Sequence, residues 1–237
     1  MSRWDALLAV QEHDTLTDQL THRRRTLPAR AALDQAMADL QQLEARAAEV
    51  EASRHELARS QQRLEDEITS LNERAVTHDK TLYGGTIGNP RELQALQDEI
   101  GSLKRRIGHL EDQELELMEQ MEPLERDLTR LEGERTSLDE LATALRAEIA
   151  EQEVAIDAEL ASVHAERDAL AAEVEPDLLA TYEDLRPRSG GIAIARLVNG
   201  SCGGCHLGLA AVEIDRIKRL PAEAVVHCEE CGRLLAR

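Results

Sequence analysis

The chain contains no Phe, one Trp and two Tyr among 237 residues. Aromatic rings usually supply much of the filling at the centre of a globular domain. Their scarcity excludes a thick single core. No run approaches the ~20 predominantly apolar residues of a membrane span. The opening Met1-Ser2-Arg3-Trp4-Asp5 has no basic-then-apolar secretory pattern. A cytoplasmic protein with no membrane partner is the expectation. Cysteine is missing from residues 1–201, and all four fall in the last 36. In a reducing compartment such a cluster holds metal more readily than it forms disulfides.

The residues that are present are mostly Leu, Ala, Ile and Val mixed with Glu, Arg and Gln, with 32% of the chain charged. This composition suits long helices packed along a narrow seam. The formal net charge of −19 is unevenly spread: residues 1–185 carry 20 Lys/Arg and 42 Asp/Glu, residues 186–237 carry 8 and 5. The first part, at −22, should repel polyanions, whereas the tail, at +3, could meet them.

Leucine recurs every seventh residue at Leu96, Leu103, Leu110, Leu117, Leu124, Leu131, Leu138 and Leu145. A companion row runs through Ile100, Ile107, Glu114, Met121, Leu128, Arg135, Ala142, Ile149, Ile156 and Val163. This 3-4 spacing is the seam of a left-handed coiled coil. The earlier arm has a matching row at Leu43, Val50, Leu57, Leu64 and Leu71, while Arg54 and Gln61 interrupt its companion set. Pro28 separates a short helix over about 3–26 from a long one over about 29–80, and Pro123 should kink the second arm. That arm is expected to run from Pro90 to about Arg186 and to outrun the first, since at ~1.5 Å per residue an arm of about 90 residues would reach on the order of 130 Å.

Between the arms, Gly84, Gly85 and Gly88 let the chain reverse, and Asn89, Pro90 and Glu92 restart it as N-cap, N1 and N3. The architecture predicted is therefore mainly α. An antiparallel coiled-coil hairpin occupies 1–185 with its apex at about 81–90, and a small C4 zinc ribbon occupies 186–237. Tyr83, Thr86, Ile87, Asn89 and Arg91 are the candidate contacts at the apex.

Cys202-Gly203-Gly204-Cys205 and Cys228-Glu229-Glu230-Cys231 are two CxxC pairs. Each can form a knuckle that places two sulfurs on one metal, and together they complete the tetrahedron of a structural zinc site. A thioredoxin-like redox use needs one pair within a βαβ pattern, which is missing. Four sulfurs leave no open coordination position, so the one zinc ion is structural. His206 and His227 neighbour the cysteines and are read as exposed or supporting groups. Between the knuckles, Leu209 to Leu220 reads as a short helix presenting Arg216, Lys218 and Arg219.

These features together resemble the bacterial C4-type zinc-ribbon proteins with a coiled-coil hairpin stalk. The likeness lies in Gly-Thr-Ile-Gly-Asn-Pro-Arg-Glu-Leu (85–93), Gly190-Gly191-Ile192-Ala193, Gly200-Ser201-Cys202-Gly203-Gly204-Cys205-His206 and Cys228-Glu229-Glu230-Cys231-Gly232-Arg233. After the first knuckle, Leu207-Gly208-Leu209-Ala210-Ala211 departs from the family's Met and Pro pair. The resemblance implies a non-enzymatic adaptor of nucleic acid or of the transcription machinery.

Two functions follow. A scaffold would bridge protein partners of the transcription or RNA machinery. A nucleic-acid binder would act through Arg186, Arg188, Arg196, Arg216, Lys218 and Arg219, chiefly on phosphates, since the tail has no aromatic platform. No nucleophile–base pair or phosphate loop is visible, and no small-molecule substrate is expected.

Overall fold

The computed structural model describes residues 2–85 and 87–237. Its elements are α1 (Arg3–Arg25), α2 (Pro28–Tyr83), α3 (Pro90–Ala171), α4 (Pro176–Arg188), β1 (Ile194–Val198), β2 (Ser201–Cys202), α5 (Ala211–Arg219) and β3 (Leu234–Ala236). Contacts divide the chain into two units, residues 32–144 and residues 1–31 with 145–237.

In the unit of residues 32–144, α2 and α3 pair antiparallel. Arg74 and His78 meet Glu99, Lys104 meets Asp79, and Arg106 meets Glu67 at 3.0 Å. The partners approach the reversal together, as only an antiparallel pair requires. Ile100, Leu103, Ile107 and Leu110 are buried on the heptad rows, as are Leu131 and Ala142. Arg135 is the exposed exception, held by Glu132 and Asp139 on its own helix. Helix α3 continues through Pro123, which has no N–H to give the Glu119 carbonyl.

At the reversal, the Asn89 side chain accepts the Arg91 N–H at 3.0 Å, which is an N-cap bond. Glu92 reaches back to the Asn89 carboxamide at 3.5 Å rather than to its backbone. Tyr83 is 83% exposed, Asn89 and Arg91 are exposed, and Ile87 is half-buried. Thr86 lies outside the described residues.

In the unit of residues 1–31 with 145–237, α1 runs antiparallel to the end of α3. Arg24 pairs with Asp157 at 2.8 Å, and Arg30 with Glu153. The second arm does not reach Arg186 as one helix. Helix α3 ends at Ala171, and α4 restarts at Pro176. Proline disfavours helix at the preceding Glu175 but suits the first turn of a new helix, so the chain breaks there.

The three-stranded sheet has the order β2-β1-β3, with β1 antiparallel to β2 and parallel to β3. Its alternating side chains face two layers. Ile194, Leu234 and Ala236 join Trp4, Leu7 and Val10 of α1 and Leu178 and Tyr182 of α4. Ala195 and Leu235 join Ile217 of α5, Val226 and the buried cysteines. The short helix α1 therefore supplies one wall of the ribbon's core.

Candidate metal centre

The two knuckles are built alike. In the first, the His206 N–H donates to the Cys202 carbonyl at 2.8 Å and the Cys202 N–H to the Leu207 carbonyl at 3.0 Å. In the second, the Gly232 N–H donates to the Cys228 carbonyl at 2.8 Å and the Cys228 N–H to the Arg233 carbonyl at 2.8 Å. The turn requires a left-handed backbone after its second cysteine. Gly232 supplies it at φ 73°, and His206 supplies it at φ 61°. Histidine is among the residues that enter this region more often than most, so the sequence tolerates it there.

Each sulfur receives an N–H from the residue two positions on. Gly204 donates to Cys202 at 3.4 Å, and the amides of Leu207, Glu230 and Arg233 serve Cys205, Cys228 and Cys231. These donors favour the thiolate form. Burial pushes the Cys228 thiol up to about 12. Burial also opposes ionisation of Cys231, but the backbone and guanidinium N–H groups of Arg233 and the neighbouring thiols bring it down to about 7. The first knuckle lies tight on β1: the Gly203 N–H donates to the Arg196 carbonyl at 2.9 Å. A Cβ on Gly203 would sit 2.9 Å from that same oxygen, so only glycine fits without a shift.

All four Sγ atoms lie within 4.8 Å of one another. Cys202 and Cys231 approach to 3.9 Å, and Cys205 and Cys228 to 3.8 Å. A tetrahedron with metal–sulfur bonds of ~2.3 Å has edges of ~3.8 Å, so the sulfurs fit zinc. Disulfide bonds of ~2.05 Å do not fit these separations. With four thiolate ligands the ion is structural, and its positive charge offsets the repulsion among the sulfurs.

The histidines do not join this set. His227 is exposed, and its Nδ1 meets the Gly232 carbonyl at 3.1 Å. His206 is exposed and contributes its backbone.

The tail's basic residues are engaged more than their count suggests. Arg186 is tied to α1 through the Asp14 carbonyl at 2.9 Å and the Asp18 carboxylate. Arg188 pairs with Asp184, Arg196 with Asp5, Arg216 with Glu213 and Arg219 with Asp215. Arg188, Arg196 and Arg219 stay largely exposed within these pairs. Lys218, also exposed, has no ion pair among the described residues.

Three residues with clear roles were not singled out from the sequence. Gln11, buried on α1, accepts the Ala193 and Ile194 N–H groups at 2.7 and 2.8 Å and donates to the Ile194 carbonyl at 2.8 Å. Arg233 donates to the Ile192 and Ser189 carbonyls at 2.8 and 2.9 Å. Trp4 is 6% exposed and donates its indole N–H to the Ala222 carbonyl at 3.2 Å. Being the one Trp of an aromatic-poor chain was the available signal for the last.

No helix among the described residues is long and apolar enough to cross a membrane. A family model for a CT398-like coiled coil hairpin domain matches residues 10–190, and one for a C4-type zinc ribbon domain matches residues 201–235. Among relatives, the uncharacterized protein Rv2229c of Mycobacterium tuberculosis is 31% identical over 98% of this chain and 94% of its own. ML1638 of Mycobacterium leprae is 27% identical over 93% and 94%. A solved Mycobacterium smegmatis structure superposes with a TM-score of 0.88 at 27% identity, covering 100% of this chain and 97% of that one. CT398 of Chlamydia trachomatis shares the fold, with a TM-score of 0.72 at 22% identity over 99% and 97%. This architecture fits a non-enzymatic structural protein. With a helical hairpin, a four-cysteine zinc centre and matches along nearly its whole length, the chain belongs to the CT398-like coiled-coil hairpin family with a C4-type zinc ribbon.

Proposed function

We propose that this protein is a non-enzymatic adaptor of the cytoplasm that bridges protein partners belonging to the transcription or RNA machinery. The observation that carries this reading is the engagement of the ribbon's cations. Five of the six basic residues suited to phosphate contact already face carboxylates of the same chain. A polyanion would have to compete with those acids, which weakens the non-specific attraction that drives such binding. Protein docking needs no such competition, and exposed groups such as Tyr83 at the reversal offer it apolar area.

The nucleic-acid reading keeps one observation in its favour: Arg188, Lys218 and Arg219 are exposed. The experiment compares the intact chain with its Arg188→Glu/Lys218→Glu/Arg219→Glu variant as bait in lysates with and without nuclease. Because Trp4, Leu7 and Val10 pack against the ribbon's sheet, the full length is the appropriate bait. The adaptor reading expects the same proteins to stay bound after nuclease and raised salt, with either bait. RNA or DNA lost from the variant and at raised salt, with no protein retained, would reverse the choice.

A further inference from the structure

The heptad rule fails in two ways at one place on α3. At Glu114 the seam position is a carboxylate, which meets Gln61 of α2 at 3.4 Å. Next to it, Leu115 and Met118 fall outside the two seam rows and are 57% and 47% exposed. From 41 to 74 on α2 and from 111 to 130 on α3, no residue is fully buried. A polar residue in the seam and apolar residues beside it run against local stability, and such paired violations mark function more often than accident.

The exposed strip has a regular form. Exposed Leu115 and Met118 are followed, at three-residue steps, by Met121, which is half-buried on the seam row. Glu119, Glu122 and Glu125 each sit four residues on, one helical turn along the same face. These six residues line an open groove of about 450 Å³. Residues 107–125 include seven Asp/Glu and no Lys or Arg, so the α3 side of the groove is anionic. Gln61 of α2 lines the other side, and Glu122 also meets Arg126 at 3.4 Å in an exposed pair. Methionine is flexible and polarizable, and it recurs where a surface accepts helices of varied shape.

We infer that this strip docks a cationic amphipathic helix from another protein. Its apolar side chains, at i, i+3/i+4 and i+7, would cover Leu115, Met118 and Met121, and its Lys or Arg residues would meet the three glutamates. A second copy of this chain fits poorly, because the same carboxylates would face each other. The inference extends the adaptor reading by naming the chemistry of one partner.

The test uses the four methionines of the chain. Full-length zinc-loaded protein labelled with ¹³C at the methionine methyls is titrated with a designed Leu/Lys amphipathic helical peptide. A second titration uses a peptide of identical composition with scrambled order. The Met118 and Met121 methyls should shift saturably while Met37 stays still, and the scrambled peptide should bind about tenfold more weakly, a difference of ~1.4 kcal/mol. A Leu115→Gln/Met118→Gln variant, altered only at exposed positions, should weaken the designed peptide by a similar factor, read at Met121, with far-UV circular dichroism unchanged. Unmoved Met118 and Met121, equal binding of the scrambled peptide, or unchanged affinity of the variant would overturn the inference. So would shifts that depend on protein concentration alone, which would make the strip a self-association surface. Any of these failures leaves the lysate comparison, and with it the adaptor reading, to stand or fall separately.

Discussion

His206 and Gly232 occupy the same place in two copies of one turn. Both have left-handed backbones, at φ 61° and 73°, and both donate an N–H over 2.8 Å to the carbonyl of the cysteine four residues earlier. The histidine beside the metal is therefore explained by its backbone. His206→Gly should retain full zinc affinity and change stability by less than about 1 kcal/mol, since relief of left-handed strain and glycine's entropy are of similar size. His206→Val should destabilise the ribbon by about 1–2 kcal/mol. Competition with a colorimetric chelator and thermal melts check both. Loss of zinc affinity in His206→Gly would mean that the imidazole is a ligand.

Gly203 makes a sharper steric prediction. Its Cβ would meet the Arg196 carbonyl oxygen at 2.9 Å, and backbone on both sides leaves no flexible side chain to move. Gly203→Ala should cost about 1–3 kcal/mol, typical of overpacking. A zinc-loaded melting curve unchanged by that substitution would contradict the close approach.

Gln11 holds α1 on the sheet through three hydrogen bonds. Gln11→Ala leaves two buried N–H groups and a carbonyl without their partner, at ~1–3 kcal/mol for each group that stays dry. The single Trp, Trp4, lies in the same cluster, so its emission should red-shift at lower denaturant than in the wild type. Coincident transitions would show that Gln11 does not fasten the helix.

His13 should titrate above its ordinary range. Its Nδ1 faces the Ala9 carbonyl at 2.8 Å and its Nε2 the Glu166 carboxylate at 3.2 Å, so both nitrogens meet acceptors, which favours the imidazolium form. The Ala9 bond is the largest cause of the rise, burial opposes it, and Glu166 and Glu12 add to it. A raised folded pKa means stability fully present below the unfolded value near 6.5 and lost as pH rises through the folded value. The Glu166 carboxyl, held low by His13 and Ser162, adds a contribution that disappears as pH falls through the carboxylate range. NMR titration of His13 should give a value above 6.5 that drops in Glu166→Gln; a value at or below 6.5 would refute the pairing.

Features governed by local chemistry were legible in the sequence. The leucine rows, the Asn89-Pro90-Arg91-Glu92 restart and the two CxxC turns each follow from spacing over a few residues. Two structural features escaped for different reasons. The break at Pro176 was hidden by heptads that continue through Ile156 and Val163. The role of α1 in the ribbon's core depends on Trp4 and Gln11 meeting residues more than 180 positions away. One glutamine or one tryptophan carries no periodic signal, so only the folded chain reveals its partner.

The central claim is that one ion held by four sulfurs closes the ribbon. Because Leu234 and Ala236 lead from the second knuckle into the cluster around Trp4, removing the metal should also expose that indole. Zinc K-edge absorption on the purified full-length chain tests the site itself. One zinc per chain with four sulfur neighbours at ~2.3 Å is the expected spectrum. Imidazole scattering, fewer than four sulfurs, or a folded protein without zinc would contradict it.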